Sequence, residues 1–169
     1  MSTLLTFPTT GRNTQRPASL PEIGVSHQTL RHCADWQSSI AQECRRQRTL
    51  SPRVFDFLKA SGLLERCTFL ATDEPGGRLR LKYIGAPTLT KLGRAWGRSM
   101  LNHPLDDSPH AEFSASVEAQ YSAAIGSGEL MLNRVDVHGI GCPFAYTHLL
   151  VGWEDRGRRA ILSAIDIGA

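Results

Sequence analysis

Apolar and polar residues alternate in two rhythms along this chain, one helical and one extended. Leu30, Cys33, Ala34, Gln37, Ile40, Ala41 and Cys44 recur at spacings of three and four, which predicts a helix over residues 26–48. Arg45-Arg46-Gln47-Arg48 falls in its last turn, where cations suit the helix dipole. Ser51-Pro52 reads as a cap followed by a first-turn proline. The helix it opens carries Val54, Phe55 and Leu58 and is predicted to end near Gly62. Residues 67–72 read as a strand and residues 73–77 as a hairpin turn. From Arg78 to Ile84 the chain alternates, with Leu79, Leu81 and Tyr83 on one face and Arg80 and Lys82 on the other. Two short helices are predicted over 87–92 and 95–101, broken by Gly93 and Gly97. Ser108-Pro109 repeats the cap-plus-proline start, opening a long helix that bears Phe113, Val117, Tyr121, Ala124 and Ile125 and stops at Gly126-Ser127-Gly128. Three strands fill the remainder, at 129–138, 144–153 and 158–167. Residues 1–25 mix Thr, Pro, Gly, Asn and Arg without period and are predicted to be a flexible arm.

Charge divides the chain after the first predicted helix. The net charge is +3 over 169 residues. Residues 1–50 hold 6 Arg against 3 acids, and residues 51–169 hold 13 bases against 13 acids. The basicity therefore belongs to the first fifty residues. A neutral main domain argues against a dedicated nucleic-acid surface, which needs a basic patch. No apolar run is long enough to span a membrane, and the N-terminus lacks a signal-peptide core. Cys33, Cys44, Cys67 and Cys142 form no Cys-x-x-Cys pair. On one helix Cys33 and Cys44 would stand roughly 16 Å apart, too far for a disulfide. Four reduced thiols in a cytoplasmic protein are expected.

The element order is helix, helix, then β-β-α-α-α-β-β-β, and local motifs accompany it. They are Leu81-Lys82-Tyr83-Ile84-Gly85-Ala86, Leu92-Gly93-Arg94-Ala95-Trp96-Gly97-Arg98, the stretch from Ala145 to Gly152, and the lead-in helix from Leu50 to Leu64. Over residues 48–167 this set resembles a PAS domain, in particular the compact stand-alone PAS-like proteins of alphaproteobacteria. The resemblance implies an α+β fold with a five-stranded antiparallel sheet and helices on one face, preceded by an N-terminal helical extension. It divides the chain into an arm (1–25), a helix (26–48) and a PAS-like domain (49–169). It implies a sensory or regulatory module that works by binding a small ligand or a protein partner, not an enzyme. With no effector domain after the last strand, output is expected to pass through a signalling partner, a homodimer or the basic arm. The dimer surface expected from the N-terminal helix is Leu30, Cys33, Gln37, Ile40, Cys44, Arg45, Arg46 and Arg48. The pocket residues expected from the fold are Tyr83, Trp96, Phe113, Val117, Tyr121, Tyr146 and His148, an apolar set whose Tyr and His tips could orient a ligand. The same residues also read as plain core.

Specific chemistries narrow further. Flavin photochemistry of the light-oxygen-voltage type needs a cysteine between Gly85 and His103, and none stands there. Haem, as in a gas or redox sensor, would draw an axial ligand from His103 or His110; both also read as exposed polar residues. The six histidines have no zinc spacing. No nucleophile elbow, P-loop or dinucleotide fingerprint occurs. Asp106-Asp107 reads as the lead-in to a helix cap. A nucleic-acid-associated regulator using the Arg-rich segment is the alternative from another class, and a small enzyme using the sheet cavity is a third.

Overall fold

Long runs of alternating β-formers near the C-terminus build the centre of the molecule, and the rest of the chain packs onto it. The computed structural model describes residues 21–167. Its strands are β1 (Glu22–Gln28), β2 (Cys67–Ala71), β3 (Arg80–Tyr83), β4 (Met131–His138), β5 (Phe144–Asp155) and β6 (Arg158–Asp166). Its helices are α1 (Asp35–Cys44), α2 (Pro52–Ala60), α3 (Ala86–Leu92), α4 (Arg94–Met100) and α5 (Ala111–Ser127). The fold is α+β. The six strands form one antiparallel sheet in the order β1-β4-β5-β6-β2-β3. Arg156 and Gly157 both take positive φ (50° and 76°), the two-residue mirror-image turn that matches strand twist between β5 and β6.

Four expectations are corrected here. The sheet has six strands where five were expected. The additional one, β1, occupies residues assigned to the end of the arm and the start of the first helix. Ile23, Val25 and His27 pair in register with Val137, Val135 and Asn133. The strand is mostly exposed, so its own pattern is weak and β4 supplies the template. Residues 1–20 of the expected arm lie outside the described residues.

Helices cover both faces of the sheet, where the resemblance implied one, because α1 and α2 pack on the face opposite α4 and α5. Along β5 the odd residues Leu149, Val151 and Trp153 join Phe69, Leu132 and Leu162 in a core with Ile40 and Cys44 of α1 and Val54 and Leu58 of α2. The even residue Leu150 joins Ile161 and Leu70 in a second core with Val117, Tyr121, Ala124 and Ile125 of α5 and Trp96 and Met100 of α4. Period-two alternation therefore feeds two separate cores. The α1 stripe is spent on the chain's own sheet. Gln37, fully buried in the middle of that stripe, donates through Nε2 to the Ala164 carbonyl (2.9 Å) and accepts from the Ala34 N–H (3.1 Å).

The fourth correction is Tyr83, expected on the face of Leu81. The pairing steps from Phe69↔Tyr83 to Leu70↔Leu81, so β3 carries one extra residue, Lys82, against β2. Such a bulge reverses which side each residue faces. Tyr83 therefore meets Phe69 edge-on, at a ring separation of 6.1 Å, on the α1–α2 side.

The thiols divide by burial. Cys44 and Cys67 lie in the first core, where burial pushes both thiols up to about 12. Cys142 is exposed and Cys33 half-buried. Thiolate is the reacting form, so iodoacetamide near pH 8 should alkylate Cys142 first and Cys33 more slowly. Cys44 and Cys67 should react only on unfolding. Peptide mapping by mass spectrometry checks this, and early labelling of Cys67 would contradict the packing.

Candidate functional site

Helices α3, α4 and α5 arch over the face of the sheet formed by β2, β5 and β6. A cavity of about 50 Å³ remains beneath them. Its lining includes Trp96 from α4, Phe113, Val117 and Tyr121 from α5, and Tyr146 and His148 from β5. Six of the seven residues named from sequence thus meet at one place. The seventh, Tyr83, is across the sheet for the reason given above. The lining also includes Thr68, Thr88, Lys91, Phe144 and Ile165, which the sequence reading did not single out. Phe144 shares its strand phase with Tyr146 and His148, and Thr88 and Lys91 lie one helical turn apart on α3, so periodicity held a signal for both.

The polar floor of this region is a connected network. His148 is 1% exposed. Its Nε2 lies 2.8 Å from Gln120 Oε1, which also accepts from Asn133 Nδ2 at 2.8 Å. An amide oxygen facing Nε2 requires the proton there, so Nδ1 accepts from the Ser163 hydroxyl at 3.2 Å. The imidazole is neutral, and burial lowers its pKa to about 3. Asn133 Oδ1 continues the chain to His27 Nδ1 on β1, at 3.1 Å. Five elements are tied together, since the residues come from β1, β4, α5, β5 and β6. Tyr121 also meets Ser163, and burial pushes its hydroxyl up to about 12. Tyr146 packs edge-on against the His148 ring at 5.3 Å, and burial raises its hydroxyl pKa as well. Both tyrosines are neutral phenols.

The remaining candidates lie elsewhere. His103 is exposed, with Nδ1 3.4 Å from Asp107 Oδ2. His110 precedes α5, its backbone N–H donating to Ser108 Oγ at 3.2 Å. Neither lines the cavity, and both ring nitrogens of His148 are engaged, so no lining histidine is offered to a haem iron. Ser108, read as a cap for α5, instead accepts from Trp96 Nε1 at 3.2 Å. Asp106 and Asp107 pair with Arg78 at the surface. Of the expected dimer surface, Gln37, Ile40 and Cys44 are buried, and Leu30 and Cys33 pack beside them. Arg46 pairs with Glu43 at 3.6 Å. Arg45 and Arg48 line a surface groove shared with Glu129 and Glu154. Among the described residues no cluster of His, Cys, Asp or Glu could hold a metal. No described helix is long and apolar enough to cross a membrane. No protein-family model matches the chain, and no curated protein is similar to it.

Proposed function

We propose that this chain is a PAS-type sensory or regulatory module that acts through a small molecule held between α5 and the sheet. The observation that carries the reading is the cavity, apolar around most of its lining and bounded by His148, Tyr121 and Tyr146. Topology supports it. The five strands that follow β1 lie in the order β3-β2-β6-β5-β4, with α3, α4 and α5 together on one face. A volume of about 50 Å³ is below the roughly 300 Å³ of a pocket for a drug-sized ligand. A ligand of a few heavy atoms suits it, and a macrocycle does not. A protein partner, a second copy included, would meet surfaces other than the α1 stripe.

The test is native mass spectrometry of the chain purified without denaturation, alongside Val117→Trp, which fills the cavity from α5. A small-molecule adduct is expected on the unmodified chain and not on the variant. The visible spectrum should show neither a Soret band nor flavin absorption. No adduct, together with no response to small-fragment libraries by NMR, would overturn the reading.

A further inference from the structure

We propose that the cavity accepts a short-chain monocarboxylate, its apolar tail inside and its carboxylate at the mouth between Lys91 and Thr88. This assignment rests on the ligand-binding reading above. Size is the first argument. A chamber of about 50 Å³, against the roughly 300 Å³ of a pocket for a drug-sized ligand, admits an apolar tail of a few carbons.

Charge is the second argument. Among the described residues that line the cavity, Lys91 alone carries a formal charge, His148 being neutral. Lys91 has no ion-pair partner among the described residues. Lys91 is exposed yet part of the lining, and its Nζ sits 5.2 Å from the centre of the Phe144 ring, so the ammonium stands at the rim. A free cation beside an apolar, aromatic chamber selects an anion with an apolar body.

Spare hydrogen-bonding capacity is the third. Thr68 Oγ1 accepts from the Gly85 N–H at 3.1 Å and lies 3.1 Å from Thr88 Oγ1. When Thr68 donates to Thr88, the Thr88 proton is left to donate elsewhere. Thr88 and Lys91 stand three residues apart on α3, hence on one face. Tyr146 is 7% exposed and lines the cavity, and its hydroxyl has no hydrogen-bond partner among the described residues.

Isothermal titration of the full chain with butyrate, butyramide and butylamine tests the assignment. Butyrate should bind at least tenfold more tightly than the amide or the amine. Lys91→Gln should weaken butyrate roughly tenfold or more while leaving butyramide unchanged. Lys91 is exposed, so this variant should fold, which circular dichroism checks. Thr88→Val should give a smaller loss for butyrate. Equal binding of butyrate and butyramide, or unaltered butyrate binding by Lys91→Gln, would overturn the carboxylate assignment and leave the cavity reading standing. No binding by any of the three would also overturn it, and the adduct experiment then decides separately on the cavity.

Discussion

Gly152→Ala should destabilise the chain by more than about 3 kcal/mol, at the upper end of overpacking effects. Gly152 lies on β5 directly beneath the last turns of α5. A Cβ there would stand 2.6 Å from the Ile125 Cα and nitrogen and 2.7 Å from the Ala124 carbonyl carbon. These are backbone atoms and cannot rotate away, so the helix must lift from the sheet. Ala124 and Ile125 are buried on that contact, and α5 also roofs the cavity. Gly126 supplies the contrast. It lies on the same helix, nothing falls within 4 Å of its added Cβ, and Gly126→Ala should stabilise by about 0.5–1 kcal/mol through helix propensity. Urea denaturation of the two variants measures both signs. A Gly152→Ala loss below about 1 kcal/mol would mean that the helix is not seated on the strand as described.

Acid should weaken the fold through His148. Its pKa is lowered from 6.5 to about 3 by burial. Below pH 6.5 the unfolded chain binds a proton that the folded chain refuses, so stability is fully present above 6.5 and drains away as pH falls toward about 3. Between pH 7 and pH 4.5 this one group should remove about 2–3 kcal/mol. Denaturation curves at pH 7, 5.5 and 4.5 would follow the loss. The variant His148→Gln has no titrating ring, so its stability should fall less over the same range, whatever its starting value. Parallel losses in the two proteins would show that His148 is not the group responsible.

The long, strongly patterned segments were readable from sequence. Val135 and Val137, the Leu149-Leu150-Val151 run and the Ile-rich end are strands, and Phe113 to Ile125 is a helix, because each segment repeats its period over several turns or pairs. The pocket set was readable for the same reason: Phe113, Val117 and Tyr121 share a helix face, and Tyr146 and His148 share a strand phase. What escaped was weaker or non-local. β1 depends on pairing with residues more than a hundred positions away. Tyr83 was misplaced because one bulge reverses a phase that alternation alone cannot show to be broken. Ser108 looked like a cap, yet its hydroxyl serves Trp96 and the His110 N–H. Gln37 sits polar in the middle of the α1 stripe, and its meaning lies in the Ala164 carbonyl 127 residues along the chain.

By itself, then, the sequence determined the type and order of the major elements, the neutrality of the main domain, and which apolar residues turn inward together. These are local properties, set by dihedral preference and by the two side-chain periods. Tertiary structure alone decided that helices cover both faces of the sheet, that the α1 stripe is spent on the chain's own core, and that Lys91 and Thr88 join His148 in the lining of one small chamber. The physical reason is that periodicity specifies which residues share a face, whereas only packing specifies what that face meets.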